Sequence, residues 1–334
     1  MVQSHKPKVT FVLSVDTEEE WDWSGPFPQK QFSVDNVALI PHFQNFCNQH
    51  NIKPSYFVDY AVADDAESVA VLRQIQDKGE GEIAAHLHPW CNPPFYGITR
   101  EKESHVINLP LAQVEKKLIE LTLKLTKEFG LAPKAFRTGR WGISGDICQL
   151  LIEQGYKIDS SVYPFYTHKY FSCQGAPIYP YWVDLNNPLQ QTARSALLEF
   201  PVSVGFNHKN FEQQNKLHQM FSSRLGQSCR AVGIAWHLGI VKKLYMCPEL
   251  STGSEMIALA NNLLARKEKY IHMYLHSSNL MTNATGFVES KNAMKTILGR
   301  MHQVITHLNK VADVEFKTIS QACEPYFQTN GDKQ

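Results

Sequence analysis

Val9-Thr10-Phe11-Val12-Leu13-Ser14-Val15 runs without a break into Asp16-Thr17-Glu18-Glu19-Glu20-Trp21. The first seven residues are apolar and rich in β-branched side chains, so they read as a fully buried strand. They are too few for a signal-peptide core, and the acids follow at once. Along an extended chain, residues i and i+2 share a face. Asp16 and Glu18 therefore point the same way from the strand end. Two carboxylates held that close repel, and a cation or a shared proton has to lie between them.

The same alternation continues outward from this strand. Short apolar runs at Lys53 to Val58, Glu82 to His86, Lys134 to Arg137, Lys157 to Asp159, Leu197 to Val202, Val232 to His237, Ile271 to His276 and Val314 to Lys317 read as strands. Between them, helical spacing of apolar residues marks Val34 to Asn48, Asp64 to Lys78, Leu111 to Phe129, Ser144 to Gln154, Glu255 to Lys267 and Ser290 to Leu308. Strand then helix, repeated about seven times, predicts a parallel sheet with crossover helices. No linker splits the chain, so one α/β domain is expected, a distorted (β/α)7-type barrel over residues 9–326 between tails 1–8 and 327–334. Two stretches break the rhythm, Pro89 to Pro110 with its four prolines and Val162 to Gln191 with its Tyr, Pro and Asn. Long irregular segments of this kind often carry function.

Composition narrows the function. The chain has 334 residues, 43% hydrophobic and 19% charged, with 33 basic against 32 acidic side chains. The balance gives no basic excess for a nucleic-acid partner. No apolar run is long enough for a membrane span, and a cytoplasmic protein is expected. The seven cysteines are odd in number and contain no C-x-x-C pair, so neither a disulfide framework nor a thiolate zinc site is expected.

In a barrel of parallel strands, the C-terminal strand ends converge on one rim. The ends here carry Asp16 and Glu18, then His86-Leu87-His88-Pro89-Trp90, Arg137, Asp159 and finally Leu275-His276. His86 and His88 share a face if the chain stays extended. With one carboxylate they form a two-histidine, one-acid set suited to zinc or another first-row divalent metal. Arg137 and Arg140, in FRTGRWG, are placed to hold a carboxylate ionised or to bind a substrate oxygen. Trp21, Trp23, Trp90 and Trp141 neighbour the same rim and are suited to packing on sugar rings. His168, His208, His237 and His272 read as structural.

Taken in order, these motifs resemble the polysaccharide deacetylases of the NodB-homology type, carbohydrate esterase family 4, and most of all their WalW-like branch. The resemblance covers Val9 to Ser278. It implies a distorted β/α barrel of about seven strands and a metal-dependent hydrolase that removes acetyl groups from N-acetylated sugars in surface polysaccharide metabolism. By that resemblance Asp16 is the catalytic base, Glu18, His86 and His88 hold zinc, Arg137 orients the base, Asp159 lines the groove and His276 is the general acid. Trp90, Arg140 and Trp141 complete the substrate side. The family spaces its two histidines by three residues. Here Trp90 occupies the second position and His88 stands in for it. A metal-independent amide or ureide hydrolase of the same fold, or a non-catalytic carbohydrate-binding protein, are the rival expectations.

Overall fold

The computed structural model describes residues 6–21, 26–28, 30–223, 226, 230–285 and 292–328. Its first strand, β1 (Lys8–Thr17), is almost wholly buried, as its apolar run requires. β1 has neighbours on both sides. On one side lies β13 (Tyr270–His276), parallel along its length, with Asp16 opposite His276. On the other, β14 (Asp313–Lys317) covers the first half and β2 (Ser55–Val58) the second.

From β2 the parallel sheet continues through β3 (Glu82–Leu87), β4 (Ala135–Thr138), β5 (Ile158–Asp159) and β10 (Leu198–Glu199). The antiparallel strands β8 (Tyr181–Asp184) and β9 (Asn187–Gln191) extend this edge. The sheet curls until the residues after β10 reach β13. There the Ser203 N–H donates to the His272 carbonyl at 3.0 Å, and the His272 N–H to Ser203 Oγ at 2.9 Å. Among the described residues seven parallel strands, β13, β1, β2, β3, β4, β5 and β10, thus run round a distorted barrel, as the sequence predicts, with β14 parallel to β1 beside them.

Helices pack on the outside of the sheet. In Leu111–Phe129, Val114, Leu118, Leu121 and Leu125 face inward, every third or fourth residue, and Gly130 ends the helix in a left-handed conformation. Ser144 caps Gly145–Glu153 by accepting from the Ile147 N–H. The long segment 89–110 is tied down from beneath by Lys117. Its buried ammonium donates to the carbonyls of Pro89 and Pro94 at 2.8 and 2.9 Å.

One expectation fails. Val232 to His237 is not a strand but part of the helix Ala231–His237. Periodicity alone does not separate a short apolar helix from a buried strand. The strand that pairs in that part of the chain is β12 (Lys243–Tyr245), antiparallel to β11 (Val204–Phe206). The excursion at 162–191 is as expected, with a small hairpin of β6 (Thr167–His168) and β7 (Phe171–Ser172) before β8 and β9.

Candidate active site

Register brings the strand-end residues together. His86 stands beside Arg137 across β3 and β4, and Asp16 beside His276 across β1 and β13. A cavity of about 360 Å³ opens over these ends, within the range of small-ligand sites. Asp16, Glu18, His86, His88, Arg140, Trp141 and His276 all line it.

Glu18 Oε2 lies 3.4 Å from His86 Nε2 and 3.3 Å from His88 Nε2, and one ligand atom from each of the three residues falls within 4.8 Å of the others. Zinc bonds of 2.0–2.2 Å in tetrahedral array put neighbouring ligand atoms about 3.3–3.6 Å apart, so both contacts match a tetrahedron's edge. The outer nitrogens are also occupied as metal-bound histidines require. His86 Nδ1 faces the Arg137 carbonyl at 3.2 Å, and His88 Nδ1 the Glu19 carboxylate at 3.0 Å. Glu18 Oε1 is buried and has no hydrogen-bond partner, a lone pair that a cation would satisfy. The donor set fits a first-row divalent metal.

Behind the histidines is a second row that sequence reasoning missed. Trp90 Nε1 and His88 Nδ1 both donate to Glu19, while the Glu19 N–H donates to Asp59 Oδ2 at 3.2 Å. Burial pushes Asp59 well above its ordinary pKa, helped by the adjacent Glu19 charge. Glu19 feels the same burial but is brought down to about 2 by His88 and the Asp59 hydrogen bond. Between the two, burial and the Glu19 charge favour the proton on Asp59, and His88 favours the charge on Glu19. Gly139 touches this row, since a Cβ there would lie 2.2 Å from His88 Cδ2 and 2.7 Å from the Leu87 carbonyl.

The acid and base candidates stand side by side. Asp16 Oδ1 is ion-paired with Arg137 Nη1. Arg137 is fully buried and also donates to Ser14 Oγ, Ser160 Oγ and the Ser160 carbonyl, each at 2.9 Å. Burial raises the Asp16 pKa, but Arg137, His86 and His276 outweigh it and hold the carboxyl below its usual range. Asp16 Oδ2 lies 3.8 Å from His276 Nε2. On the other side of that ring, Nδ1 meets Glu249 Oε2 at 2.9 Å. Burial would lower His276, yet Glu249, Glu18 and Asp16 raise it to about 10. Glu249 comes from the loop after β12 and belongs to no motif.

Two substrate-side expectations are corrected. Trp90 is 2% exposed and lies behind the cavity, stacked on His88 with ring centroids 4.3 Å apart. Because β3 ends at Leu87, the chain turns before Trp90 and carries the indole inward. Asp159 does not line the cavity either. It is wholly buried, accepts from Ser161 Oγ at 2.6 Å and faces Glu199. Burial raises both carboxyls. Trp23 lies outside the described residues. The aromatic wall is Trp21 and Trp141, as expected, with Tyr163, Tyr166, Tyr245 and Tyr274, and His168, read as structural, lines the cavity as well. Arg140 and Trp141 both sit at φ 64°. Left-handed backbone costs a side-chain-bearing residue about 1–3 kcal/mol and gathers at functional sites.

No family model matches the chain, and no curated protein does. Solved structures do. A protein assigned as a polysaccharide deacetylase from Mycobacterium smegmatis superposes with a TM-score of 0.56 at 14% identity, over 97% of this chain and 92% of that one. A glycoside hydrolase/deacetylase assignment from Parabacteroides distasonis gives 0.60 at 12%, over 99% and 74%. Puue allantoinase gives 0.56 at 15%, over 98% and 93%. Across nearly its whole length, the chain has the distorted barrel fold of these deacetylase-like proteins and of the allantoinase.

Proposed function

We propose that this cavity hydrolyses an acetyl group from an N-acetylated sugar or polysaccharide precursor, with a divalent metal, zinc first, on Glu18, His86 and His88. The observation that carries this reading is the pairing beside those ligands: an ionised Asp16 and a protonated His276, 3.8 Å apart. A bound zinc ion supplies a Lewis acid for the acyl oxygen and a water made acidic near neutral pH.

Asp16 accepts the proton of the attacking water at Oδ2, the oxygen that Arg137 leaves free. Arg137 keeps Asp16 ionised and fixes its orientation. His276 delivers a proton from Nε2 to the departing amine, while Glu249 holds Nδ1 and keeps the ring charged. Trp141 and the tyrosines offer apolar faces to a sugar ring and keep bulk water off the reacting groups. The six cysteines among the described residues are buried and free, which favours a reducing compartment and so a cytoplasmic precursor as substrate.

Metal content and acetate release test the proposal together. About one first-row metal per chain is expected, lost in His88→Ala, with acetate released only by the loaded wild type. A chain that neither retains nor takes up zinc overturns it. Because the allantoinase shares the fold, the same screen should read urea and ammonia. Their release without acetate would move the reading to a ureide or amide.

A further inference from the structure

The cavity has a second polar end that this chemistry leaves unused. His105, from segment 89–110, is 2% exposed. Its Nδ1 lies 3.2 Å from the Arg140 carbonyl. A carbonyl only accepts, so the ring proton is on Nδ1. Nε2 is then a bare acceptor, buried and without a hydrogen-bond partner, in a ring that lines the cavity. His168 packs against it with ring centroids 4.8 Å apart, and its own Nδ1 is buried and unpartnered.

Arg140 completes this end. It is half-buried, donates to the neutral Ser104 hydroxyl at 2.8 Å and lies over the Phe27 ring at 5.4 Å. Among the described residues no carboxylate comes within 4.0 Å of it. Glu101, the acid that acts most on its charge, is paired with Lys169 at 2.6 Å. Withdrawing a guanidinium from water without a counter-charge is unfavourable, and its planar fork is suited to carboxylate or phosphate oxygens. The unusual backbone at Arg140 and Trp141 holds both side chains in the cavity lining.

We infer that this end of the cavity binds an oxyanion, carboxylate or phosphate, carried by the acylated sugar, with Arg140 taking the charge and His105 Nε2 accepting from an adjacent hydroxyl. The inference builds on the deacetylase reading and names its substrate class, an acidic acetamido sugar.

The test is titration calorimetry on the intact chain with three probes: N-acetylglucosamine, N-acetylmuramic acid and N-acetylglucosamine 6-phosphate. At least one anionic sugar should bind tenfold or more tightly than the neutral one, and that preference should shrink as salt rises. The tighter anion tells carboxylate from phosphate. Arg140→Gln should erase the preference, while Arg140→Lys should keep part of it and shows that the position tolerates substitution. Equal affinity for all three sugars, no binding of either anion at millimolar concentration, or a preference unchanged in Arg140→Gln overturns the inference. An anion preference without acetate release from any probe upholds this site and removes the deacetylase reading. Acetate release with equal affinities does the reverse.

Discussion

His272 and His276 lie on the same strand, four residues apart and on the same face, yet their surroundings shift them in opposite directions. His272 is fully buried against the Ser14 hydroxyl at 2.8 Å and the Pro201 carbonyl at 3.1 Å. Burial, with Arg137 nearby, lowers it to about 3. At His276 the same desolvation is overcome by Glu249, Glu18 and Asp16, and the ring is raised to about 10. Among the described residues no carboxylate is bonded to the first ring, while Glu249 is bonded to the second. Location on a strand end singled out His276, but the charge is set by a loop residue that arrives from elsewhere.

The sharpest way to break this contrast is to remove each ring in turn. Acid–base steps are worth about 10²- to 10⁴-fold, so His276→Ala should lower kcat by that factor. A loss below tenfold in steady-state assays would take the general-acid role away from His276.

Next in size is Glu249→Gln, which keeps the shape and removes the charge. His276 is active in its protonated form, so activity should fall as pH rises through about 10. In the variant that limb should move down toward the ordinary imidazole value of about 6.5. The acid limb should stay in place. A pH–rate profile with an unmoved alkaline limb would contradict the assignment.

Stability should respond with opposite signs. His276 binds its proton more tightly folded than unfolded, so its contribution is full below about 6.5 and is lost as pH rises through about 10. His272 refuses a proton when folded, so its contribution is lost as pH falls from about 6.5 toward 3. Thermal midpoints against pH should flatten on the alkaline side in Glu249→Gln and on the acid side in His272→Asn. A common change on both sides would mean that the two rings are not independent.

The smallest effect on turnover should come from His272→Leu. It leaves the Ser14 hydroxyl and the Pro201 carbonyl without this partner, at about 1–3 kcal/mol. Denaturant titration should show that loss, with kcat changed far less than in His276→Ala.

The legible part of the site is what strand periodicity can point. Asp16, Glu18, His86, His88, Arg137 and His276 each lie at or within a residue of a strand end, where the period of two fixes direction. The family resemblance puts Trp90 and Asp159 on the substrate side, but the chain turns after Leu87 and carries Trp90 inward, and Asp159 is wholly buried against Ser161. Glu249 and His105 were not legible, since loops bring them to their partners with no spacing to announce it, while Asp59 directly follows β2 but belongs to no recognised motif. The same limit explains Val232 to His237, where six residues are too few for the helical and strand periods to differ.

The neighbours of β1 also have a meaning for how the chain is made. Thr10 pairs with Tyr270 and Lys8 with Asp313, so β1 waits for strands made far later in the chain. Contacts this distant in sequence are slow to close, and a nascent chain has only β2 to offer β1 until then. The proposed base and acid are adjacent in space but far apart in sequence. A ribosome-bound or truncated chain lacking β13 should therefore be inactive outright, with an unpaired hydrophobic strand as its principal aggregation hazard.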